Sequence, residues 1–189
     1  MTILTPGQRR GIKALYLEMP GEVKTLFCDL PALIDSSFRL NIAVAYVFFS
    51  IEQAQRGTLY CGARKLHRTE SDMTWKAIDI HELTRKDFQQ FFRTIYGFPV
   101  STNANKNLED AQSVRDGLMH GRHQDEPDLR EAICKVMHYA KDMNEWIAVG
   151  NGLGFKPFSG DLRGIVGRLE PLDRSTTRWI LKGMGFDLA

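Results

Sequence analysis

The segment that most constrains the fold of this chain lies around residue 140. Its apolar residues recur at intervals of four and three positions: Leu129, Ile133, Val136, Ala140, Met143 and Ile147. Such spacing places all these side chains on one face of an α-helix, over about five turns. A helix with one apolar face has to bury that face against other elements. The segment therefore predicts an amphipathic helix that begins near Pro127 and belongs to a larger core.

Most of the remaining chain also indicates helices. Residues 5–8 have the form of a capping box, and the helix that follows should end near Pro20-Gly21,. A second helix is predicted from Glu22 to about Leu33, and a third, capped by residues 35–37, runs through Ala54. The apolar run Ile42–Phe49 contains strand-forming residues, but polar helix formers continue it, which favours a buried helix.

Two further helices are marked by their ends. Thr84 is predicted to cap a helix that carries Phe88, Phe91, Phe92 and Ile95 and ends at Gly97,. Another runs from about Asn105 to His120 and ends at Gly121, and the short loop 121–126 predicts that it packs antiparallel to the helix after it. Residues 68–81 are left open as a short strand or hairpin.

The character of the chain changes after Val149. Glycines and prolines become frequent, six basic and three acidic residues lie between Lys156 and Lys182, and a short helix fits residues 175–182. We therefore predict an all-α fold, with a helical bundle over residues 1–149 and a small, irregular, basic extension over residues 150–189. The extension is expected to pack on or beside the bundle.

Composition excludes several classes of protein. The 189 residues carry a net charge of +2, which is typical of a globular chain and indicates no polyanion partner by itself,. The three cysteines lie far apart without a CxxC pair, so neither a disulfide framework nor a zinc ribbon is expected. No signal peptide is recognisable, and the longest apolar run has eight residues, whereas a membrane span needs about 20. We expect a cytoplasmic protein that does not enter a membrane.

One short motif carries potential chemistry. Arg115, Asp116 and His120 lie near the end of the predicted helix 105–120. Asp116 and His120 are one helical turn apart, so the carboxylate can orient the imidazole as a general base. Arg115 and Arg122 share a face and can bind a phosphate with their forked donors. We expect Arg122 and His123 to contact the substrate.

Arg115-Asp116-x-x-x-His120 resembles the R-[polar]-x-x-x-H motif of the HEPN superfamily, the higher eukaryote and prokaryote nucleotide-binding domains. In that family the motif lies near the end of a helix in an α-helical bundle, and a long amphipathic helix follows. The resemblance covers the motif and the helical pattern of about residues 30–149. It does not extend to the first helix or to the glycine-rich extension.

The resemblance implies a metal-independent endoribonuclease that acts as a homodimer with a composite cleft. His120 would move a proton to or from the ribose, Arg115 would stabilise the phosphorane, and Asp116 would orient them. The products would be a 2′,3′-cyclic phosphate and a 5′-hydroxyl. A role as a toxin or in antiphage defence or stress, with an antitoxin as a protein partner, would be natural. The family also contains inactive members, so a nucleotide-binding, RNA-binding or protein-interaction module is the alternative.

Simpler interpretations stay open for the same residues. Arg115 can be an ordinary surface arginine, and a histidine at a helix carboxyl end is favoured by the helix dipole alone. A metal site that uses Asp116, His120 and His123 lacks a fixed carboxylate pair and a fourth ligand, so we expect no metal and no cofactor. In the basic extension, Phe158 and Trp179 can stack on RNA bases, although a solvated or docking helix explains the charges equally well.

Overall fold

The computed structural model describes residues 9–36, 39–162, 165–166 and 170–188. Within these ranges the chain forms α-helices and no strand, which confirms the predicted all-α fold. The helices are α1 (Arg9–Glu18), α2 (Gly21–Leu26), α3 (Leu30–Asp35), α4 (Leu40–His67), α5 (Ser71–Ile80), α6 (Arg85–Tyr96), α7 (Thr102–Met119), α8 (Glu126–Glu145) and α9 (Arg174–Gly183), and a π-helical turn (Trp146–Gly150) continues α8.

The chain forms two compact units. Unit 1 comprises Met1–Ile51 with Ser101–Gly160, and unit 2 comprises Glu52–Val100 with Asp161–Ala189. The long helix α4 therefore contributes its first half to unit 1 and its second half to unit 2. The limits of these units differ from the boundary predicted at Val149. The division into a bundle over residues 1–149 and an extension over residues 150–189 stays a prediction.

The core of unit 1 is built around the apolar face of α8. The whole predicted stripe is buried, from Leu129 at 8 % exposure to Ile147 at 0 %. Helices α1, α2 and α7 pack against α8, and α1 also contacts α3. The side chains that complete this core include Ile12, Val23, Phe27, Leu30, Val44, Val47, Met137 and Tyr139.

A buried amide fixes the first part of the glycine-rich stretch to this core. Asn144 of α8 is 1 % exposed. Its Nδ2 donates to the Phe158 carbonyl at 2.8 Å, and its Oδ1 accepts from the Phe158 amide at 2.8 Å. The Phe158 ring is fully buried and meets Tyr139 edge to face. Phe158 is therefore a core residue, and the expectation that it stacks on RNA bases is wrong.

Unit 2 has its own aromatic core on α6. Thr84 and Asp87 form a complete capping box, and Gly97 ends the helix in the left-handed conformation, as predicted. Phe91 stacks on Phe186 at 4.3 Å between ring centroids. Tyr96 stacks on its neighbour Phe92 and donates its hydroxyl to the Thr58 carbonyl of α4 at 2.9 Å. Helix α9 packs against α5 in this unit.

Several predicted boundaries need correction. The helix predicted over 22–33 is divided into α2 and α3, because Pro31 fits only the first turn of a helix,. Asp35 ends α3 instead of capping α4, and α4 continues beyond Ala54 to His67. Residues 71–80, left open as a strand or hairpin, form a helix. The predicted capping box at 5–8 and the cap residue 37 lie outside the described residues.

None of the described helices is long and apolar enough to cross a membrane.

Candidate functional site

The predicted motif lies at the carboxyl end of α7. His120 follows the last helical residue and forms the cap. Gly121 has a left-handed φ of +70°, which allows the chain to turn back,. The Arg122 amide then donates to the Gly117 carbonyl at 2.9 Å, and the Gly121 amide donates to the Leu118 carbonyl at 3.0 Å. These bonds confirm the predicted helix end and fix the backbone that carries His120.

Helix α7 is held against α8 by packing and by polar contacts. Asn107 Nδ2 donates to Asp142 Oδ2 at 3.3 Å, and Lys135 Nζ donates to Asp110 Oδ2 at 3.0 Å. Along these pairs the residue number rises in α7 as it falls in α8. The two helices are therefore antiparallel, as the short loop between them predicts.

Arg115 is positioned by an aromatic ring. Its guanidinium carbon lies 5.5 Å from the centroid of the Phe48 ring of α4, which is a cation–π distance,. Phe48 itself is buried, with 3 % exposure. Arg115 Nη1 also lies 3.8 Å from Asp116 Oδ1, and the arginine side chain keeps 34 % of its surface exposed. The guanidinium is thus confined on one side and accessible on the other.

A groove continues along the same two helices. It has a volume of about 740 Å³ and lies between the start of α4 and the α7–α8 loop. Leu40 and Asn41 contribute from the start of α4, Leu118 from the end of α7 and Arg122 from the loop that follows. Further along α4, Phe48 meets Arg115, which lies earlier in α7, and this order indicates that the two helices run antiparallel.

The groove is rich in cationic and polar side chains. Arg39, Arg122 and His123 line it together with Asn41, Gln124 and Glu126. His123 Nε2 lies 3.4 Å from Asp125 Oδ1, and both side chains are largely exposed. The predicted substrate residues Arg122 and His123 therefore share one concave surface. Arg115 does not line the groove. The structure therefore does not bring Arg115 and Arg122, which were predicted to bind one phosphate, to the same surface.

Exposed apolar side chains surround the motif on the outer side of α4 and α7. On α4, Ile42, Ala45 and Phe49 recur at intervals of three and four residues and are all exposed. The exposure is 44 % for Ile42 and 61 % for Phe49, and that of Met119 on α7 is 73 %. A large contiguous patch of such exposed side chains would mark an interaction surface.

Helical geometry places these side chains on one side of the α4–α7 seam. At about 100° per residue, Phe49 lies about 100° round α4 from Phe48, while Met119 and Asp116 lie about 40° and 100° round α7 from Arg115. Because the helices are antiparallel and right-handed, both rotations lead to the same outer side. We name the set Ile42, Ala45, Phe49, Asp116 and Met119 the α4–α7 face, and His120 lies at its edge.

Asp116 and His120 are both exposed. Asp116 is paired with Arg115, and no hydrogen bond or ion pair joins it to His120 in the described part of the chain. The structure thus brings Asp116 to the arginine and does not bring it into the predicted hydrogen bond with the imidazole. All three motif residues are accessible from the α4–α7 face.

Gly117 lies where α7 meets a side chain of the loop that follows the helix. Glycine is costly inside a helix, and close approach of another helix is one reason for its presence there. A Cβ at Gly117 would instead collide with the side-chain amide of Gln124, which folds back from the α7–α8 loop. The glycine therefore makes room for a loop side chain and not for another helix.

A second cavity, of about 520 Å³, lies between α7 and α8 and is lined by Asp110, Asp128, Glu131 and Lys135, among others. Lys135 Nζ bonds Asp110 at 3.0 Å and Glu131 at 2.8 Å. Burial opposes the charge of Lys135, but these carboxylates raise its pKa overall. The positive charge of Lys135 thus partly neutralises the acidic side chains that line this cavity. No group of three His, Cys, Asp or Glu side chains in the described ranges is arranged to hold a metal ion.

Two of the cysteines are unsuited to nucleophilic chemistry. Burial raises the pKa of Cys61 to about 12 and that of Cys134 to about 11. Both thiols are therefore protonated at neutral pH, and the thiolate is the reactive form. Cys134 is buried beside Ile133, as its position next to the apolar stripe predicts.

Three residues at this site were missed by sequence reasoning. Phe48 orients Arg115, Arg39 lines the groove, and Phe49 belongs to the exposed face. Phe48 and Phe49 stand within one apolar run, where sequence gives no signal to separate a buried ring from an exposed one. Arg39 stands just before α4 and had no recognisable partner.

Comparisons of the chain with protein-family models, with curated proteins and with solved structures give no match.

Proposed function

We propose that the protein is a metal-independent endoribonuclease that acts as a homodimer, with one Arg115/Asp116/His120 set from each subunit in a shared cleft. The observation that carries the proposal is the α4–α7 face, where the accessible motif adjoins exposed apolar side chains. The resemblance to the HEPN superfamily supplies the chemistry. The exposed apolar side chains beside the motif support the proposed contact between two subunits.

The exposed apolar residues support association through this face. Ile42, Phe49 and Met119 are exposed in the single chain. A dimer with two-fold symmetry uses the same patch on both subunits, so these residues would be covered by their own copies. Because the motif borders the patch, the same association brings two Arg115 and two His120 side chains to one cleft.

The reaction follows from the groups on this face. One His120 accepts the proton of the ribose 2′-hydroxyl, whose oxygen attacks the adjacent phosphorus. The bond from phosphorus to the 5′-oxygen breaks, and His120 of the partner subunit donates a proton to that oxygen. Arg115, held by Phe48, stabilises the negative charge that develops on the phosphorane. The products are a 2′,3′-cyclic phosphate and a 5′-hydroxyl.

The groove next to the motif suits the RNA strand that flanks the scissile bond. Arg39, Arg122 and His123 line it, and each can contact a phosphate,. Asn41 and Gln124 add side-chain donors and acceptors at the same surface,. We therefore assign substrate binding to the groove and proton transfer to His120.

Cleavage of a mixed RNA pool in EDTA tests the proposal. We expect wild type to cleave, leaving cyclic-phosphate ends, and His120→Ala and Arg115→Ala to lose about 10²- to 10⁴-fold in rate. His138→Ala is the matched histidine control and should cleave like wild type. Absence of cleavage by a wild-type preparation that is folded and dimeric would contradict the enzyme.

Sedimentation velocity tests the assembly separately. Phe49→Asp should convert the dimer to a monomer and abolish cleavage, because it buries a charge at the two-fold contact. Val149→Asp is the matched control, since Val149 is 77 % exposed in the same unit but lies outside the α4–α7 face. A Phe49→Asp protein that stays dimeric would place the dimer contact elsewhere.

One observation favours the alternative, an inactive RNA-binding or protein-interaction module. The imidazole of His120 has no hydrogen bond to Asp116 within the single chain, and a general base needs a defined orientation. A module of this kind would dimerise and bind RNA without turnover. Toxicity in cells separates the two: toxicity removed by His120→Ala indicates the enzyme, and equal toxicity of both forms indicates the module.

A further inference from the structure

Helix α9 in unit 2 is firmly anchored on one side. Its buried residues Thr177 and Leu181 face the unit, and α9 packs against α5. The Thr177 hydroxyl accepts a hydrogen bond from the Glu70 amide at 2.9 Å. Asp173 caps the helix by accepting from the Ser175 and Thr176 amides at 2.9 and 3.0 Å. The opposite face of α9 is thus presented on a fixed support.

The outward face of α9 combines one aromatic ring with cations. Trp179 is 78 % exposed, more than any other large apolar side chain among the described residues. Arg178 precedes it, and Lys182 follows one turn later, both exposed. Arg174 lies one turn before Arg178, and α9 contains no acidic residue. We name Arg174, Arg178, Trp179 and Lys182 the α9 face.

Two cations of this face are available to a partner, while the charge of Arg174 already interacts with the carboxylate of Glu70. Neither Arg178 nor Lys182 forms an ion pair or a side-chain hydrogen bond within the part of the chain that the structure describes. Their spacing of four residues corresponds to about 6 Å along the helix. At about 100° per residue both cations lie on the same side of Trp179 round the helix, so the face offers a short row of positive charges beside an uncovered indole ring.

We propose that the α9 face binds single-stranded RNA, with a base stacked on Trp179 and backbone phosphates on Arg178 and Lys182. Sites for single strands combine a basic surface along the backbone with aromatic rings on which bases stack. Every base has a flat face, so such binding tolerates many sequences. This contact is additional to the proposed active site. It does not depend on that proposal, because RNA binding on α9 needs no chemical step at His120.

The composition of the face favours a nucleic acid over a protein partner. Contact centres between proteins often contain Trp and Arg, but they are depleted in Lys and surround such an anchor residue with other closely packed side chains. On α9 the exposed neighbours of Trp179 are Ser175, Arg178, Lys182 and Gly183. A lone ring among cations, a serine and a glycine offers little apolar area to a protein, but it matches a base and its phosphates.

Fluorescence anisotropy with a labelled 2′-O-methyl oligouridine tests the proposal on the full chain. This RNA lacks the free 2′-hydroxyl, so the proposed nuclease cannot cleave it and the result is independent of that activity. Trp179→Ala should weaken binding by about 5- to 150-fold, the range found for loss of one stacked base. The double change Arg178→Gln/Lys182→Gln should reduce the salt slope by about 0.7 per cation.

Two controls keep the test specific. Lys86→Gln removes an exposed cation of α6 in the same unit and should leave affinity and salt slope unchanged. Trp179→Phe keeps a flat ring and should bind nearly as well as wild type, but the quenching of tryptophan fluorescence by RNA should be lost. Because Trp179 is exposed, all variants should keep the wild-type melting temperature.

Equal affinity of wild type and Trp179→Ala would overturn the proposal, and so would a wild type that does not bind. A change in oligomeric state on Trp179→Ala with unchanged RNA binding would also overturn it, since the face would then be a protein contact. Weaker binding by Trp179→Ala together with loss of quenching in Trp179→Phe would establish stacking at this ring.

Discussion

The Phe48–Arg115 pair and the α9 face use the same residue types in opposite ways. In unit 1 the protein supplies its own ring, because Phe48 is buried and holds the guanidinium of Arg115 at 5.5 Å. In unit 2 the ring is the exposed part, because Trp179 is 78 % exposed beside two cations. In unit 1 the buried ring restricts the cation. On α9 both the ring and the cations are exposed, so a ligand can contact all of them.

This difference suits the two regions to different tasks: the Phe48–Arg115 pair to positioning a charge, and the α9 face to binding a ligand. A restricted cation loses little freedom when charge develops near it, which is the requirement for stabilising a transition state. An exposed ring beside exposed cations gains contact area only when a ligand binds, which suits affinity without precise geometry. We therefore expect changes in unit 1 to alter cleavage rates and changes on α9 to alter affinity for RNA.

Arg115→Lys should have the largest effect. Lysine keeps the charge but lacks the planar fork that stacks on Phe48 and bridges phosphate oxygens. We expect kcat/KM for RNA cleavage to fall about 100-fold, while anisotropy shows unchanged binding of 2′-O-methyl RNA. A variant that cleaves at the wild-type rate would show that the charge alone suffices and would remove the contrast with the α9 face.

Phe48→Leu tests whether the ring itself positions Arg115. Loss of a cation–π contact of about 0.5–1 kcal/mol predicts a decrease in cleavage rate of about 2- to 5-fold. Phe88→Leu is the matched control, because Phe88 is 1 % exposed in the core of unit 2. Both changes should lower the melting temperature, and only Phe48→Leu should slow cleavage. Equal rates in the two variants would assign no role to the ring.

Arg39→Gln should weaken the groove without affecting proton transfer. We expect a higher KM, an unchanged kcat and a salt slope of RNA binding smaller by about 0.7. Lys106→Gln removes another exposed cation of unit 1, away from the groove, and should change none of these values. A fall in kcat alone would move Arg39 from the groove to the reaction.

Asp173→Ala should act on the α9 face through the end of the helix. A hydrogen bond from the Thr176 side chain, with the capped amides, holds the pKa of the Asp173 carboxyl below its ordinary value. A lowered folded-state pKa means that this stabilisation is complete above the ordinary carboxyl pKa and is lost as the pH falls through the lowered value.

Thermal unfolding at several pH values checks this effect. At neutral pH Asp173→Ala should melt earlier than wild type and bind 2′-O-methyl RNA slightly less well, because the first turn of α9 frays. The two proteins should converge in acid. Asp173→Asn keeps a side-chain acceptor and should resemble wild type at neutral pH. A constant difference at every pH would show that the carboxylate charge is irrelevant.

Gly117→Ala should have the smallest effect. Alanine favours a helix interior over glycine by about 0.8–1 kcal/mol, and the clash involves only the flexible end of Gln124,. We expect the free energy of unfolding in urea to rise slightly, or to stay equal if Gln124 loses its place. A large loss of stability would show that Gln124 holds the α7–α8 loop.

Helices with a regular apolar pattern or a clear cap were predictable from the sequence. The exposure of individual side chains was not. The α8 stripe and the Thr84–Gly97 helix were predicted because periodicity and capping are local signals. Residues 71–80 were missed because their N-cap is Glu70, which accepts from two amides but is not a usual capping residue,. Arg115, Asp116 and His120 were identifiable as a group. The pairing of Asp116 with Arg115, and the role of Phe48, depend on tertiary packing.

The unequal burial of the thiols makes the protein simple to label. Cys61 and Cys134 are buried, and Cys28, in the turn between α2 and α3, is exposed. A maleimide spin probe added to the native protein at neutral pH should therefore attach once per chain, without any substitution. In a two-fold dimer this gives a single distance between two probes, and electron paramagnetic resonance can follow it with and without RNA.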